Sequence, residues 1–354
     1  GDEFAVLLEH APTAVEAERA AERVLGSLVA PVRVGSRPVR VRASIGVALA
    51  SSGASSAGEL LRNADLAMYA AKAGGRARCT IFSPGMYDAE VARHTLVTEL
   101  RDAIANGHIK PHFQPLVELG SGRSWAVEAL ARWHHPRLGL LLPERFIELA
   151  EETELIHELG RGMLRDACRQ AAVWRATVPG AEELVVAVNV SRRQIADEAF
   201  AEVVAAALAW ENLPPEALML ELMESDVAAG AEQMIERCIA LRELGVRLAV
   251  EDFGIGASSL ADLRNLPVDV LKLAKPFIDD LERHPGEREF VRVIVELGRV
   301  LGVTVAAEGV ETEGQLALLR ELGVDVAQGN HMAAAEAAAN VERHLRLPPA
   351  SAAA

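Results

Sequence analysis

Between residues 128 and 328, eight polar residues recur at or just past the ends of short apolar runs: Glu128, Asn189, Glu221, Glu251, Asp252, Lys272, Glu308 and Gln328. Five are carboxylates, and acids gathered in one place repel one another and lose hydration, so the set calls for cations to neutralise it. Oxygen-only ligands select hard ions, magnesium or manganese, over zinc. Two ions suit this many carboxylates better than one, and a pair of ions roughly 4 Å apart is suited to in-line displacement at a phosphodiester. A single glutamate at such a point would read as solvated or as the cap of a following helix; a series on successive runs does not. His134 and His135 are adjacent and would face opposite sides of a strand, so they have no catalytic part.

A barrel would gather these residues. Apolar runs at 111–119, 125–133, 184–190, 217–223, 246–250, 268–273, 303–307 and 324–327 are separated by helical stretches such as 143–159, 197–210, 232–244, 287–301 and 313–322. Eight strands with helical crossovers predict an α/β fold, a TIM-like (β/α)8 barrel with its active mouth at the C-terminal strand ends. Only Gly120-Ser121-Gly122-Arg123 separates the first two runs, too short for a parallel crossover, so the first strand is expected to be antiparallel.

Composition agrees with a packed α/β chain: 354 residues, half of them apolar, with few aromatics. A net charge of −15 excludes general nucleic-acid binding, which needs clustered Lys and Arg. An anionic ligand must therefore meet metals or a few placed basic groups. Cys79, Cys168 and Cys238 lack metal-ligand spacing and read as reduced structural thiols. No apolar run approaches the ~20 residues of a membrane span, and the opening residues lack signal-peptide features, so a cytoplasmic protein with no direct membrane span is expected.

Taken in order, Phe113-Gln114-Pro115, Glu128-Ala129-Leu130-Ala131-Arg132, Asn189-Val190-Ser191, Glu221-Leu222-Met223-Glu224, Glu251-Asp252-Phe253-Gly254, Leu271-Lys272, Ala307-Glu308-Gly309-Val310-Glu311 and Gln328-Gly329 resemble the successive motifs of the EAL domain. The resemblance implies a phosphodiesterase that binds cyclic di-GMP and hydrolyses it to linear pGpG with two divalent cations, Mg2+ or Mn2+. It implies that Glu128, Asn189, Glu221 and Glu251 hold one ion, and that Asp252 and Glu308 help to hold the other. A water between the ions would attack phosphorus, with Lys272 orienting it and Gln328 alongside. Arg132 would grip a phosphate oxygen, Gln114 and Leu130 would touch the substrate, and Glu224 would brace the loop that begins at Asp252. That loop also serves dimerisation in the family, so a homodimer through the barrel is implied.

The first stretch reads as a smaller α/β layer, with an apolar run at 4–8, a helix at 14–28, a hairpin-like pair at 32–41 and 43–50, and a helix at 56–73. Gly1-Asp2-Glu3-Phe4, Ser44-Ile45-Gly46-Val47, Ala64-Asp65, Met68-Tyr69-Ala70-Ala71-Lys72 and Gly75-Arg76 resemble the second half of a GGDEF domain, the diguanylate cyclase module. The metal-binding Asp of that family's first strand would lie before Gly1, and Ala77 stands where Asn is usual, so cyclase activity is not expected. Ser83-Pro84-Gly85 breaks the pattern. The expected layout is a partial GGDEF-like domain at 1–83, a connecting helix at 84–106, the barrel at 107–340 and a disordered tail at 341–354.

Four departures from the EAL pattern surround the second ion: Glu251 replaces Asp, Ile255 replaces Thr, Ala257 replaces Tyr, and Ala274 stands where Asp commonly follows the lysine. The extra methylene of Glu251 shifts its carboxylate by an ångström or so unless the side chain folds back, whereas catalytic geometry tolerates about 0.5 Å. Asn330-His331-Met332 and an alanine-rich stretch replace the family's aromatic and proline-containing closure. The last strand and helix are therefore expected to be weakly fixed, with 333–339 continuing as helix and 347–354 disordered. Three readings follow: an active phosphodiesterase, a degenerate domain that binds cyclic di-GMP as a receptor, and an unrelated metal-dependent barrel enzyme acting on a small carboxylate.

Overall fold

The computed structural model describes residues 3–9, 13–34, 37–39, 41–50, 56–75, 77–228, 231–256 and 266–346. The expectations placed on Gly1, Asp2, Arg76, Ala257 and the tail 347–354 lie outside the described residues. Contacts divide the chain into two units, 1–99 and 100–354.

In the first unit, Thr13 and Glu16 form a reciprocal cap that starts helix Ala14–Ser27. Strands β1 (Val32–Val34) and β2 (Arg37–Val39) form a short hairpin. Among the described residues the hairpin expected between 32–41 and 43–50 is not formed; instead β3 (Ile45–Val47) pairs in parallel with β4 (Cys79–Ile81). Helix Ala57–Ala73 is long enough to carry that crossover. It packs directly on strand backbone, because a Cβ at Gly46 would lie 1.9 Å from the Ala64 carbonyl. The apolar run at 4–8 forms no regular element.

In the second unit β5 (Ile109–Glu118), β6 (Ser124–His135), β8 (Val185–Asn189), β9 (Leu218–Met223), β10 (Arg247–Phe253), β11 (Val270–Leu273), β12 (Thr304–Ala307) and β13 (Val326–Ala327) close into a ring. β5 is antiparallel to both of its neighbours, β6 and β13, as the short Gly-rich link predicts. The other pairings around the ring are parallel. A short β7 (Gly139–Leu141), which no sequence signal marked, folds back on β6.

The helix expected over 143–159 is interrupted. Pro143–Arg145 is a 3-10 turn, Ile147–Glu152 a short helix, and Ile156–Thr177 a long one, with Glu154 in left-handed backbone (φ 62°) between the last two. The end of the chain is better fixed than its composition suggests. Residues 333–337 do not continue as helix; Glu336 instead exchanges backbone hydrogen bonds of 2.7 and 3.0 Å with Phe113 of β5. Helix Ala338–Leu345 follows and buries Val341 and Leu345, so the disorder expected from 341 does not extend to these residues.

Candidate active site

Inside the ring, Leu116, Ala126, Ala187, Met219, Ala249, Val270, Ala306 and Val326 belong to one apolar cluster. Side chains along a strand alternate between faces, so the residue two positions nearer the mouth shares the interior. Those positions hold Gln114 on the reversed β5, then Glu128, Asn189, Glu221, Glu251, Lys272, Glu308 and Gln328. The site is therefore the next interior layer of the barrel, with polar residues substituted for apolar ones. The expected convergence takes place, and it follows from the register of the sheet.

Lys272 is fully buried at the centre of this layer. Its Nζ lies 2.7 Å from Glu221 Oε1, 2.9 Å from Glu251 Oε1, 3.0 Å from Glu308 Oε1 and 3.3 Å from Glu128 Oε2. Burial works against the ammonium, but the four carboxylates outweigh it and hold its pKa well above the ordinary lysine value. Burial likewise opposes the Glu128 anion, yet Lys272 and the amides of Gln328 (2.7 Å) and Asn189 (2.7 Å) keep its pKa below the usual range.

The other acids are less well compensated. Burial, reinforced by Glu128 and Glu251, pushes Glu221 well above the usual carboxylate range. Burial also pushes Glu251 up to about 8 and raises Glu308. Oxygens of Glu128, Glu221 and Glu251 lie within 4.8 Å of one another, and Glu221 Oε2 is buried with no hydrogen-bond partner among the described residues. Several buried carboxylates facing one ammonium, all with oxygen donors, form a site that fits a hard divalent cation.

Glu251 and Asp252 are consecutive, and a regular strand would turn one of them away. The pairing of β10 with β11 shifts between Val250 and Phe253, and Asp252 has φ 53°; this irregularity brings Asp252 close enough to raise Glu308 further. Glu251 reaches Lys272 despite its extra methylene, so the displacement expected of the longer side chain does not take it out of the cluster. Just past this point, Glu224 Oε2 accepts from the amides of Gly254 (2.8 Å) and Gly256 (2.9 Å). Ile255 is exposed between them, and Ala274 is buried directly after β11.

The layer floors a cleft of about 830 Å³, within the range of small-molecule sites. Leu130 lines it, as does Gln114, which accepts from Gln328 and donates to the Ala333 carbonyl. Arg132, two residues beyond Leu130, is not among the lining residues; it is half-buried and donates to the Ala131 carbonyl. Sequence reasoning missed the outer wall. There Ile147, Ile156, Leu159 and Met163 form an apolar side beside the carboxylates Glu151 and Asp226, both raised chiefly by burial. These residues come from helices, where no strand-end rule applies.

Comparison with known proteins adds an independent finding. The family model described as EAL domain matches residues 97–335, and that described as diguanylate cyclase, GGDEF domain, matches residues 1–78. The chain is similar to the bifunctional diguanylate cyclase/cyclic di-GMP phosphodiesterase MucR of Pseudomonas aeruginosa, with 37% identity over 329 residues, 93% of this chain and 48% of that protein. It is also similar to the cyclic di-GMP phosphodiesterase PdeR of Escherichia coli, with 37% identity over 330 residues, 93% of this chain and 49% of that protein. The chain thus spans about half the length of these relatives. Among solved structures, the phosphodiesterase of MucR in complex with c-di-GMP matches with a TM-score of 0.67 and 37% identity, covering 70% of this chain and 99% of that one. The EAL domain of Mycobacterium smegmatis DcpA matches with a TM-score of 0.57 and 31% identity, covering 68% of this chain and 99% of that one.

Proposed function

The chain belongs to the EAL domain family, and from that premise we propose that it is a cyclic di-GMP phosphodiesterase releasing linear pGpG. The observation that carries this reading is the polar interior layer, in which Glu128, Glu221, Glu251 and Glu308 surround Lys272 at one mouth of the barrel. Glu128, Asn189, Glu221 and Glu251 would hold one divalent ion, and Asp252 with Glu308 a second, either magnesium or manganese. When bound, the pair supplies Lewis acidity, lowering the pKa of water and offsetting charge on the phosphoryl group.

The protein's own groups set the geometry. Lys272, kept protonated by its acidic neighbours, acts as a fixed donor that orients the attacking water and does not take its proton. Gln328 and Asn189 hold the Glu128 carboxylate from two sides. Arg132, which donates to the Ala131 carbonyl, turns onto a phosphate oxygen. The apolar side of the cleft accepts a flat base, and Glu151 and Asp226 accept from the N–H groups on the edge of guanine. Glu224 braces the segment after Asp252 through two amide bonds. Val293 and Val300, seven residues apart and exposed on helix Pro285–Leu301, support a homodimer through the barrel, which light scattering would test. The nucleotide substrate makes the cytoplasm the compartment of action.

Incubation with cyclic di-GMP and manganese, followed by chromatography, tests the reading: pGpG should form with metal and not with chelator. The departures at Glu251, Ile255 and Ala274 support a second reading, a receptor without turnover. Saturable binding of cyclic di-GMP with no pGpG would favour that reading.

A further inference from the structure

Lys275 is the one basic side chain among the described residues that line the cleft, and we propose that it is a positioning residue for Glu308. The proposal rests on the phosphodiesterase reading above. Lys275 opens helix Lys275–Asp279, three residues after Lys272 and separated from β11 by Ala274 alone. Its Nζ lies 2.8 Å from Glu311 Oε1 and 2.7 Å from Asp279 Oδ1. The ammonium therefore links the segment after β11 to the turn after β12, where Glu308 stands three residues before Glu311.

The stem of the side chain makes a second contact. A Cβ built on Gly309 would lie 2.5 Å from Lys275 Cγ and 2.8 Å from Cδ, so the stem rests against bare backbone next to Glu308. Gly309 has φ 71°, a conformation that side chains disfavour, so both the turn and the contact call for glycine. The same two segments are joined deeper in the barrel, where Lys272 Nζ lies 3.0 Å from Glu308 Oε1. Two lysines on one strand exit thus hold one turn at two depths.

An ion pair as exposed as Lys275–Glu311 adds little to stability, so its effect should appear in the placement of a neighbour. Glu308 is such a neighbour, since a misplacement near 1 Å in a catalytic group can cost about 10²-fold in rate. Direct contact between Lys275 and the anionic ligand predicts something different: a higher KM that grows with salt, with kcat unchanged.

The test compares Lys275→Met, which keeps the stem and removes the charge, with Lys275→Ala and Lys275→Arg. Two readouts are needed: kcat and KM for cyclic di-GMP with manganese, and a calorimetric manganese titration without nucleotide. The expected result for Lys275→Met is a kcat about tenfold lower with KM within about twofold, weaker manganese uptake and an unchanged melting temperature. Lys275→Ala should be worse, and Lys275→Arg should recover most of the loss. A rise in KM alone, or a Met variant equal to the parent in both readouts, would overturn the proposal. Absence of turnover in the parent would refute the phosphodiesterase reading alone, because the manganese titration then decides the positioning role by itself.

Discussion

Replacing Lys272 with methionine removes one buried charge and keeps most of the side-chain volume. In the parent, the ammonium is fully buried and touches four carboxylates at 2.7, 2.9, 3.0 and 3.3 Å. Without it, and with ions chelated, those acids lose the ammonium that they share. Leaving a buried ion pair half-broken costs about 3–5 kcal/mol. For a domain of roughly this size each kcal/mol moves Tm by about 2–4 °C, so the chelated variant should melt roughly 6–20 °C below the parent. Manganese should recover most of that loss, because the ions no longer compete with the ammonium for the Glu221 and Glu251 oxygens. The rise in Tm on adding manganese is therefore larger in the variant than in the parent, while turnover falls about 10²–10³-fold. Scanning calorimetry with chelator and then with excess manganese measures both quantities. A chelated variant that melts within about 2 °C of the parent would refute the view that Lys272 is the site's internal counter-ion.

Glu251→Asp should weaken manganese binding about tenfold, because the site is closed around the longer side chain that reaches Lys272 at 2.9 Å; tighter binding by titration would show that the extra methylene is the defect. Glu224→Ala removes two charge-assisted bonds to Gly254 and Gly256, so hydrogen exchange at those amides should accelerate and turnover should fall at least about tenfold; unchanged exchange would contradict the brace. Glu151→Gln should raise KM for cyclic di-GMP about tenfold at constant kcat if this acid receives guanine, and an unchanged KM would remove it from recognition. Because burial lifts the Glu251 carboxyl to about 8 in the metal-free site, the acid is largely protonated at neutral pH and must release its proton to bind an ion. Manganese affinity should thus rise between about pH 6.5 and 8.5 with net proton release, seen by calorimetry in buffers of different ionisation enthalpy; a flat profile would contradict this.

Much of the barrel and its mouth was legible because both follow from one periodicity. Short apolar runs mark the strands, and the first polar residue two steps past an interior Ala, Val or Met marks the site, as Ala126 and Glu128 or Val270 and Lys272 illustrate. Asp252 was legible as an acid but not in its placement, since two neighbouring side chains reach one mouth only through the irregularity in β10. Glu151 and Asp226 were missed because residues in short helices converge through tertiary packing that no local spacing encodes. The partner of β3 was misjudged because adjacency in sequence favoured a hairpin, whereas helix Ala57–Ala73 delivers β4 instead. The closing segment looked weak because alanines say nothing about backbone pairing, and it is backbone that joins Glu336 to Phe113.

The proposed function turns on one interior layer of oxygen-bearing side chains that would take up divalent ions and cleave a cyclic dinucleotide. The most direct measurement is product chromatography on the parent and Glu221→Gln, each with cyclic di-GMP in manganese or chelator. The expected result is pGpG from the parent with manganese only, and a loss of at least about 10²-fold in Glu221→Gln. Equal product from parent and variant, or product undiminished by chelator, would contradict it.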